Sequence, residues 1–485
     1  VLLGALLLRL LAGVGFANYD TLYALVWGQQ LARGETPQYA IPVAPTPHPL
    51  VEALGFVLSP FGPRAAQSIA VALGFIALAG CGWVVYRLGA RWFGRAAGAL
   101  AAVLLLTRLP VVSYGVRAYV DIPYLLLVLS AVLVATRDSG DALDGPSSAA
   151  ERSASVPAPS RPFTASPALV LLLLALAGLL RPEAWIFSGL YWLYLAFGAN
   201  CTRPQLVRLA LLVCAAPLVW VLGDWLVTGH PLWSLTNTRH TARELGRVTG
   251  VANVPEYIPR RLGEILRPPV LVGAALGGVV ALLWIPSRAR VGAAMGVVAV
   301  AVFAVFAGAG LPINTRYAFL AAALLCVFCG AGVFGWTQLP SGDRRRRPWM
   351  VGGAVVALAL VAYAPAQYRS VHRELNALAR QQSIQRDLVA LVHGGTISLR
   401  CGPVGVPNHR PIPLLALELK ASPGDVVSAE VRTLTRGTYI QPATRAVELD
   451  YILDLHDPGA LTPKVPPGFG RVGSNRSWTV YRRCS

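Results

Sequence analysis

The sequence predicts a polytopic α-helical membrane protein of about eleven transmembrane helices, counted at roughly 20 residues each, followed by a small extracytoplasmic α/β domain. Three observations carry this. Of 485 residues, 55% are hydrophobic and only 13% are charged, about half the charged share usual in soluble proteins. The apolar residues gather into runs long enough to cross a bilayer. The remaining charge is lopsided, 42 Lys+Arg against 23 Asp+Glu for a net +19, and Lys420 and Lys464 are the only lysines. A basic balance alone fits a nucleic-acid binder. Beside such apolar runs it fits a membrane protein facing anionic lipid, and no nucleic-acid partner is expected. The composition excludes an ordinary soluble enzyme, and it excludes disorder over most of the chain.

The candidate spans lie near 1–16, 65–87, 95–112, 120–136, 167–181, 183–199, 205–227, 269–286, 291–310, 318–338 and 349–366. The first run has no basic leader and continues into Asn18-Tyr19-Asp20 rather than a small-residue cleavage site. It therefore reads as a span, not a signal peptide. With the N-terminus inside, the cytoplasmic loops hold Arg87, Arg91 and Arg95, then Arg203 and Arg208, then Arg288 and Arg290, then the run Arg344–Arg347. That follows the positive-inside rule for a multi-pass plasma (inner) membrane protein. The segment 228–268 breaks the rule, being outside yet carrying Arg239, Arg243, Arg247, Arg260, Arg261 and Arg267. Residues 138–166 are rich in Pro, Ser and Ala and read as a disordered cytoplasmic loop within a membrane domain spanning 1–366.

An odd number of spans puts residues 367–485 outside. This tail is more polar, with β-like runs at Val426–Val431 and Ala446–Leu453, and its length suffices for a small domain. Its two cysteines, Cys401 and Cys484, read as one disulfide in an exported domain, the alternative being two unpaired thiols.

The candidate chemistry clusters at outer span ends. Tyr19-Asp20 follows the first span, and Leu22, Leu25 and Val26 suggest an amphipathic helix lying at the interface. Asp20 reads either as the N-cap of that helix or as a carboxylate held ionised at the membrane boundary. Five prolines between Pro37 and Pro49 make a rigid track that fixes the backbone of His48. Arg117 and Asp121 are spaced i, i+4 and could form an ion pair. A carboxylate at a span end is a functional candidate by default. Arg181-Pro182-Glu183 joins two apolar runs directly, and pairing of Arg181 with Glu183 is the structural alternative. Asp224 leads into Gly229-His230-Pro231, and Arg316-Tyr317 opens a later span. Arginine keeps its charge and offers a planar fork of donors, which suits a phosphate.

This arrangement resembles the GT-C superfamily, the polytopic glycosyltransferases that use polyprenyl-phosphate sugars. Protein O-mannosyltransferases, aminoarabinose transferases of lipid A, and actinobacterial mannosyl- and arabinosyltransferases belong to it. The resemblance is carried by 19–50, 113–123 and 179–185, with Gly229-His230-Pro231-Leu232 and Arg316-Tyr317 in support. It implies a GT-C-like fold and transfer of a sugar, mannose or another hexose or pentose, from the lipid donor to a glycan, lipid or protein hydroxyl on the outer face. It implies Asp20 as general base and Asp121 as the second acid. Tyr19, His48, Arg117, Glu183, His230, Arg316 and Tyr317 are the substrate-binding candidates, with the 239–261 arginines as further phosphate ligands. Many members pair acids in loop one, whereas Asp20 stands alone. No cofactor or metal site is expected, a weakly bound divalent cation (Mg or Mn) being the alternative. A flippase of lipid-linked sugars would instead place charges mid-bilayer in repeat-related halves. A non-catalytic envelope-assembly protein would act through its tail.

Overall fold

The computed structural model describes residues 1–136, 167–198, 201–452 and 464–484, so the loop expected at 138–166 lies outside the described residues. The first half contains α1 (Leu2–Ala12), α2 (Tyr19–Ala32), α3 (Pro49–Leu58), α4 (Gly62–Phe93), α5 (Arg95–Leu106), α6 (Leu109–Val116) and α7 (Asp121–Ala135). Next come α8 (Pro167–Leu180), α9 (Glu183–Gly198), α10 (Arg203–Thr228), α11 (Trp233–Glu244) and α12 (Val254–Trp284). The membrane part closes with α13 (Pro286–Gly308), α14 (Phe319–Phe334) and α15 (Arg346–His393).

Each expected span contains a helix among the described residues. Six helical segments among the described residues are long and apolar enough to cross a membrane, or seven if α5 and α6, bent by 64°, form one span. The described helices α1, α7 and α8 are apolar but shorter than the roughly 20 residues that the expected count of about eleven assumed for each span. Charged residues mark one end of two of them: α7 starts on Asp121, and α8 stops before Arg181-Pro182. Glycines let the central helices touch. A Cβ on Gly277 of α12 would land on the Phe328 carbonyl of α14, the close approach that small residues permit in membranes. α12 is broken at Arg267 (φ 66°, ψ 158°), because a residue before Pro268-Pro269 disfavours helical backbone. The Leu266 carbonyl released there accepts from buried Arg108 Nη1 at 2.8 Å.

The 48-residue α15 continues past the bilayer-length stretch, so the boundary expected at 366/367 falls inside one helix. Beyond it lie β1 (Val404–Val406), α16 (Ile412–Leu419), β2 (Val426–Ser428), β3 (Gly437–Pro442), β4 (Gly470–Ser474) and β5 (Trp478–Arg483). The sheet order is β2-β1-β3-β5-β4, parallel from β2 to β3 and antiparallel from β3 to β4. The β-like run 446–453 is helical over its described part instead: the Thr444 side chain accepts from Val447 N and starts a helical turn over Arg445–Val447 that runs into Glu448–Ile452. Cys401 and Cys484 are joined by a disulfide.

One hydrophobic core unites the first loop with the tail, combining Leu22, Tyr23 and Trp27 of α2 with Ile384, Leu414 and Trp478. This corrects the expectation of an interfacial amphipathic helix. Thr21–Gln30 are buried without interruption, so α2 is sandwiched rather than floating on lipid.

Candidate active site

A cavity of about 660 Å³ lies where the first loop, the 228–268 segment and the tail meet. Asn18 organises its floor. Its Oδ1 accepts from the Asp20 and Thr21 backbone N–H groups at 2.8 and 3.2 Å, and its Nδ2 donates to the Arg117 carbonyl at 3.0 Å. The N-cap of α2 is therefore Asn18, not Asp20. Relieved of capping, the Asp20 carboxylate lines the cavity and accepts from Arg316 Nη1 at 3.1 Å.

From there an alternating row of charges runs inward. Arg316 Nη1 is 3.9 Å from Asp121 Oδ2. Asp121, 1% exposed, also pairs with Arg181, which donates through Nε to Glu183 at 3.0 Å. The Tyr317 ring lies 4.5 Å from the Arg181 guanidinium, a cation–π contact that covers the pair. The Arg181–Glu183 pairing thus exists, but as part of this row. The i, i+4 pair of Arg117 with Asp121 does not form. Arg117 instead donates to Ser113 Oγ at 2.8 Å and lies over the Tyr114 and Tyr119 rings at 5.5 and 5.0 Å. It still lines the cavity, as do Tyr19, Glu183 and Tyr317, whereas Asp121 stands behind the wall.

His48 is 8% exposed and lines the cavity. Its backbone N–H donates to Glu52, which also accepts from the Tyr39 hydroxyl at 2.6 Å. Its Nδ1 is 2.8 Å from the Leu180 carbonyl. Burial pushes the imidazole pKa down to about 4, Asp20 opposing this and Arg181 and Arg316 adding to it. The ring is therefore neutral at physiological pH.

The 228–268 segment contributes less charge than expected. His230 is exposed, stacks on Trp233 and does not line the cavity. Arg239 is tied to the Ala309 carbonyl, and Arg260 and Arg261 to Glu264. Of that cluster only Arg247 lines the cavity. Asp224, also in the wall, accepts from the Ser234 N–H and hydroxyl at 2.7 Å each and serves to hold α11.

Two groups of lining residues escaped the sequence reading. Trp185 and Trp220 form an apolar corner, their rings edge to face at 5.9 Å. The tail supplies Gln381, Gln385, His409, Arg410 and Tyr451. His409 stands edge-on to Tyr19 at 5.5 Å and contacts Glu430 through Nδ1 at 3.3 Å. Burial raises the Glu430 carboxyl, but hydrogen bonds from His409 and Ser428 outweigh it and leave its pKa below the usual range. The polar run Asn408-His409-Arg410 was the available signal, and nothing in it pointed to loop one. Among the described residues no group of three His, Cys, Asp or Glu is placed to hold a metal ion; arginines occupy the positions between the carboxylates.

Fold and cavity together define a polytopic α-helical architecture with a small mixed α/β domain packed over one large cavity. The chain is similar in structure to ArnT from Cupriavidus metallidurans. The crystal structure of ArnT bound to undecaprenyl phosphate gives a TM-score of 0.55 at 13% identity, covering 98% of this chain and 96% of that one. The apo crystal structure gives 0.54 at 14% over the same shares. No family model and no curated protein sequence matches the chain. The overall fold expected from segments 19–50, 113–123 and 179–185 is thus matched by a solved structure over 98% of the chain.

Proposed function

We propose that this protein is a membrane glycosyltransferase that moves a sugar from a polyprenyl-phosphate donor to a hydroxyl acceptor at the extracytoplasmic face. One observation carries the reading: the Asp20–Arg316 pair faces a large, partly apolar cavity, in a fold shared with a protein solved bound to undecaprenyl phosphate.

The chemistry follows from the two charges. Polyprenyl phosphate is a good leaving group and needs charge stabilisation more than protonation. Arg316, with Arg117 and Arg247 in the same wall, presents N–H donors to the phosphate oxygens. Asp20 takes the proton of the acceptor hydroxyl as its oxygen bonds to the anomeric carbon. The bond from that carbon to the phosphate oxygen breaks, and the lipid phosphate leaves with the electron pair. A single displacement of this kind inverts the anomeric centre. Asp121 and Glu183 hold Arg181 and Arg316 in position, and apolar residues such as Phe306 and Leu311 offer a surface to the prenyl chain. The test incubates the purified protein with a panel of polyprenyl-phosphate sugars and reads binding and sugar release. Failure to engage any of them would sink the reading and favour a flippase or an assembly protein.

A further inference from the structure

The cavity sorts its polar groups by hydrogen-bonding sense. Arg316 and Arg117 can only donate. His48 is different. The Leu180 carbonyl oxygen 2.8 Å from Nδ1 can only accept, so Nδ1 carries the proton. Nε2 is then an acceptor, and it has no hydrogen-bond partner among the described residues although the residue is 8% exposed and lines the cavity. Phosphate oxygens are acceptors too and gain nothing from such a nitrogen. A hydroxyl does, because it can donate. The ring stands edge-on to Trp220 at 6.2 Å, and Trp220 edge-on to Trp185 at 5.9 Å. These indoles offer an apolar face to the C–H side of a sugar ring.

We propose that His48, with the Trp185–Trp220 corner, forms the subsite for the donor's sugar ring, His48 Nε2 accepting a hydrogen bond from one sugar hydroxyl. This rests on the glycosyltransferase reading and assigns to His48 the sugar rather than the phosphate.

The experiment measures equilibrium binding of three lipids: bare undecaprenyl phosphate, the same lipid carrying mannose, and the same lipid carrying arabinose. The wild-type protein binds at least one sugar-bearing lipid more tightly than the bare one. His48→Asn keeps an N–H in reach of the Leu180 carbonyl but has nothing at the Nε2 position. It loses about tenfold in affinity for the sugar-bearing lipid while bare-lipid affinity stays close to wild type. His48→Gln, whose amide oxygen reaches the Nε2 position, recovers part of the loss. Equal loss for all three lipids, no loss in His48→Asn, or no wild-type preference for a sugar-bearing lipid overturns the subsite. Failure of the wild type to bind even bare undecaprenyl phosphate overturns the glycosyltransferase reading, and the subsite with it.

Discussion

Replacing Asp20 by Asn separates its two roles, because they move in opposite directions. As base, Asp20 takes the acceptor proton, and loss of a positioned base lowers turnover by about 10²- to 10⁴-fold. As partner of Arg316, at 3.1 Å, it also competes with the donor phosphate. A phosphate oxygen on the far side of the guanidinium would lie roughly 5 Å from the carboxylate. At an effective dielectric constant near 20, two unit charges at that distance repel by about 3 kcal/mol. Solvent reaches Asp20, whose side chain is 16% exposed, so about half of that repulsion is the expected relief, or about tenfold tighter lipid binding. Asn has the same shape and still accepts from Arg316, so the fold stays intact. The assay pairs sugar transfer with equilibrium binding of undecaprenyl phosphate. Transfer collapses while lipid affinity rises. Full activity would refute the base assignment, and weaker lipid binding would refute the placement of the phosphate beside Arg316.

Three further outcomes are expected. A thiol probe added to intact cells should label Val431→Cys, an exposed tail position; labelling only after lysis would reverse the orientation. Reducing the Cys401–Cys484 disulfide, which spans 83 residues, should destabilise the tail by about 4 kcal/mol on loop-closure grounds, seen as a lower melting temperature in reductant. The depressed His48 pKa predicts a pH dependence of stability. The unfolded chain takes up a proton below its ordinary value of 6.5 while the folded ring stays neutral to about 4. Stability is therefore full above pH 6.5 and falls towards pH 4 by up to about 3 kcal/mol. His48→Asn should flatten that slope in thermal melts, and an unchanged slope would mean that the ring already titrates normally.

The sequence made the spans legible because a bilayer imposes its length on apolar runs. It also marked Asp20, His48, Asp121, Glu183 and Arg316, since charged or fixed-backbone residues at span ends have few structural excuses. Pairing was not legible. Arg117 is four residues from Asp121, yet Asp121 is satisfied by Arg181 and Arg316, 60 and 195 positions away in sequence. Local spacing carries no information about such partners. Which of two residues caps α2 was not legible for a related reason. Asn18 and Asp20 are both capping residue types, and it is Asn18 Oδ1 that takes the Asp20 and Thr21 N–H groups, while its Nδ2 is anchored on the distant Arg117 carbonyl. The tail's share of the cavity was hidden because loop one and the tail meet through a shared hydrophobic core with no local signature, which brings the His409 ring against Tyr19.

The two acids that looked equivalent in sequence are thereby given different work. Asp20 lines the cavity, whereas Asp121, at 1% exposure, stands behind its wall and pairs with Arg181 and Arg316. A buried carboxylate is tolerated only when paired, and removing one partner leaves an uncompensated charge. Asp121 therefore cannot be a base without uncoupling Arg181 and Arg316 from their positions. In the proposed mechanism it keeps two guanidiniums side by side against their mutual repulsion, so that one of them, Arg316, stays directed at the cavity. On the proposed function, the positive charge offered to a phosphate comes chiefly from the row Glu183–Arg181–Asp121–Arg316–Asp20, while of the conspicuous arginines of 239–261 only Arg247 lines the cavity and Arg239, Arg260 and Arg261 are tied to a carbonyl or to Glu264.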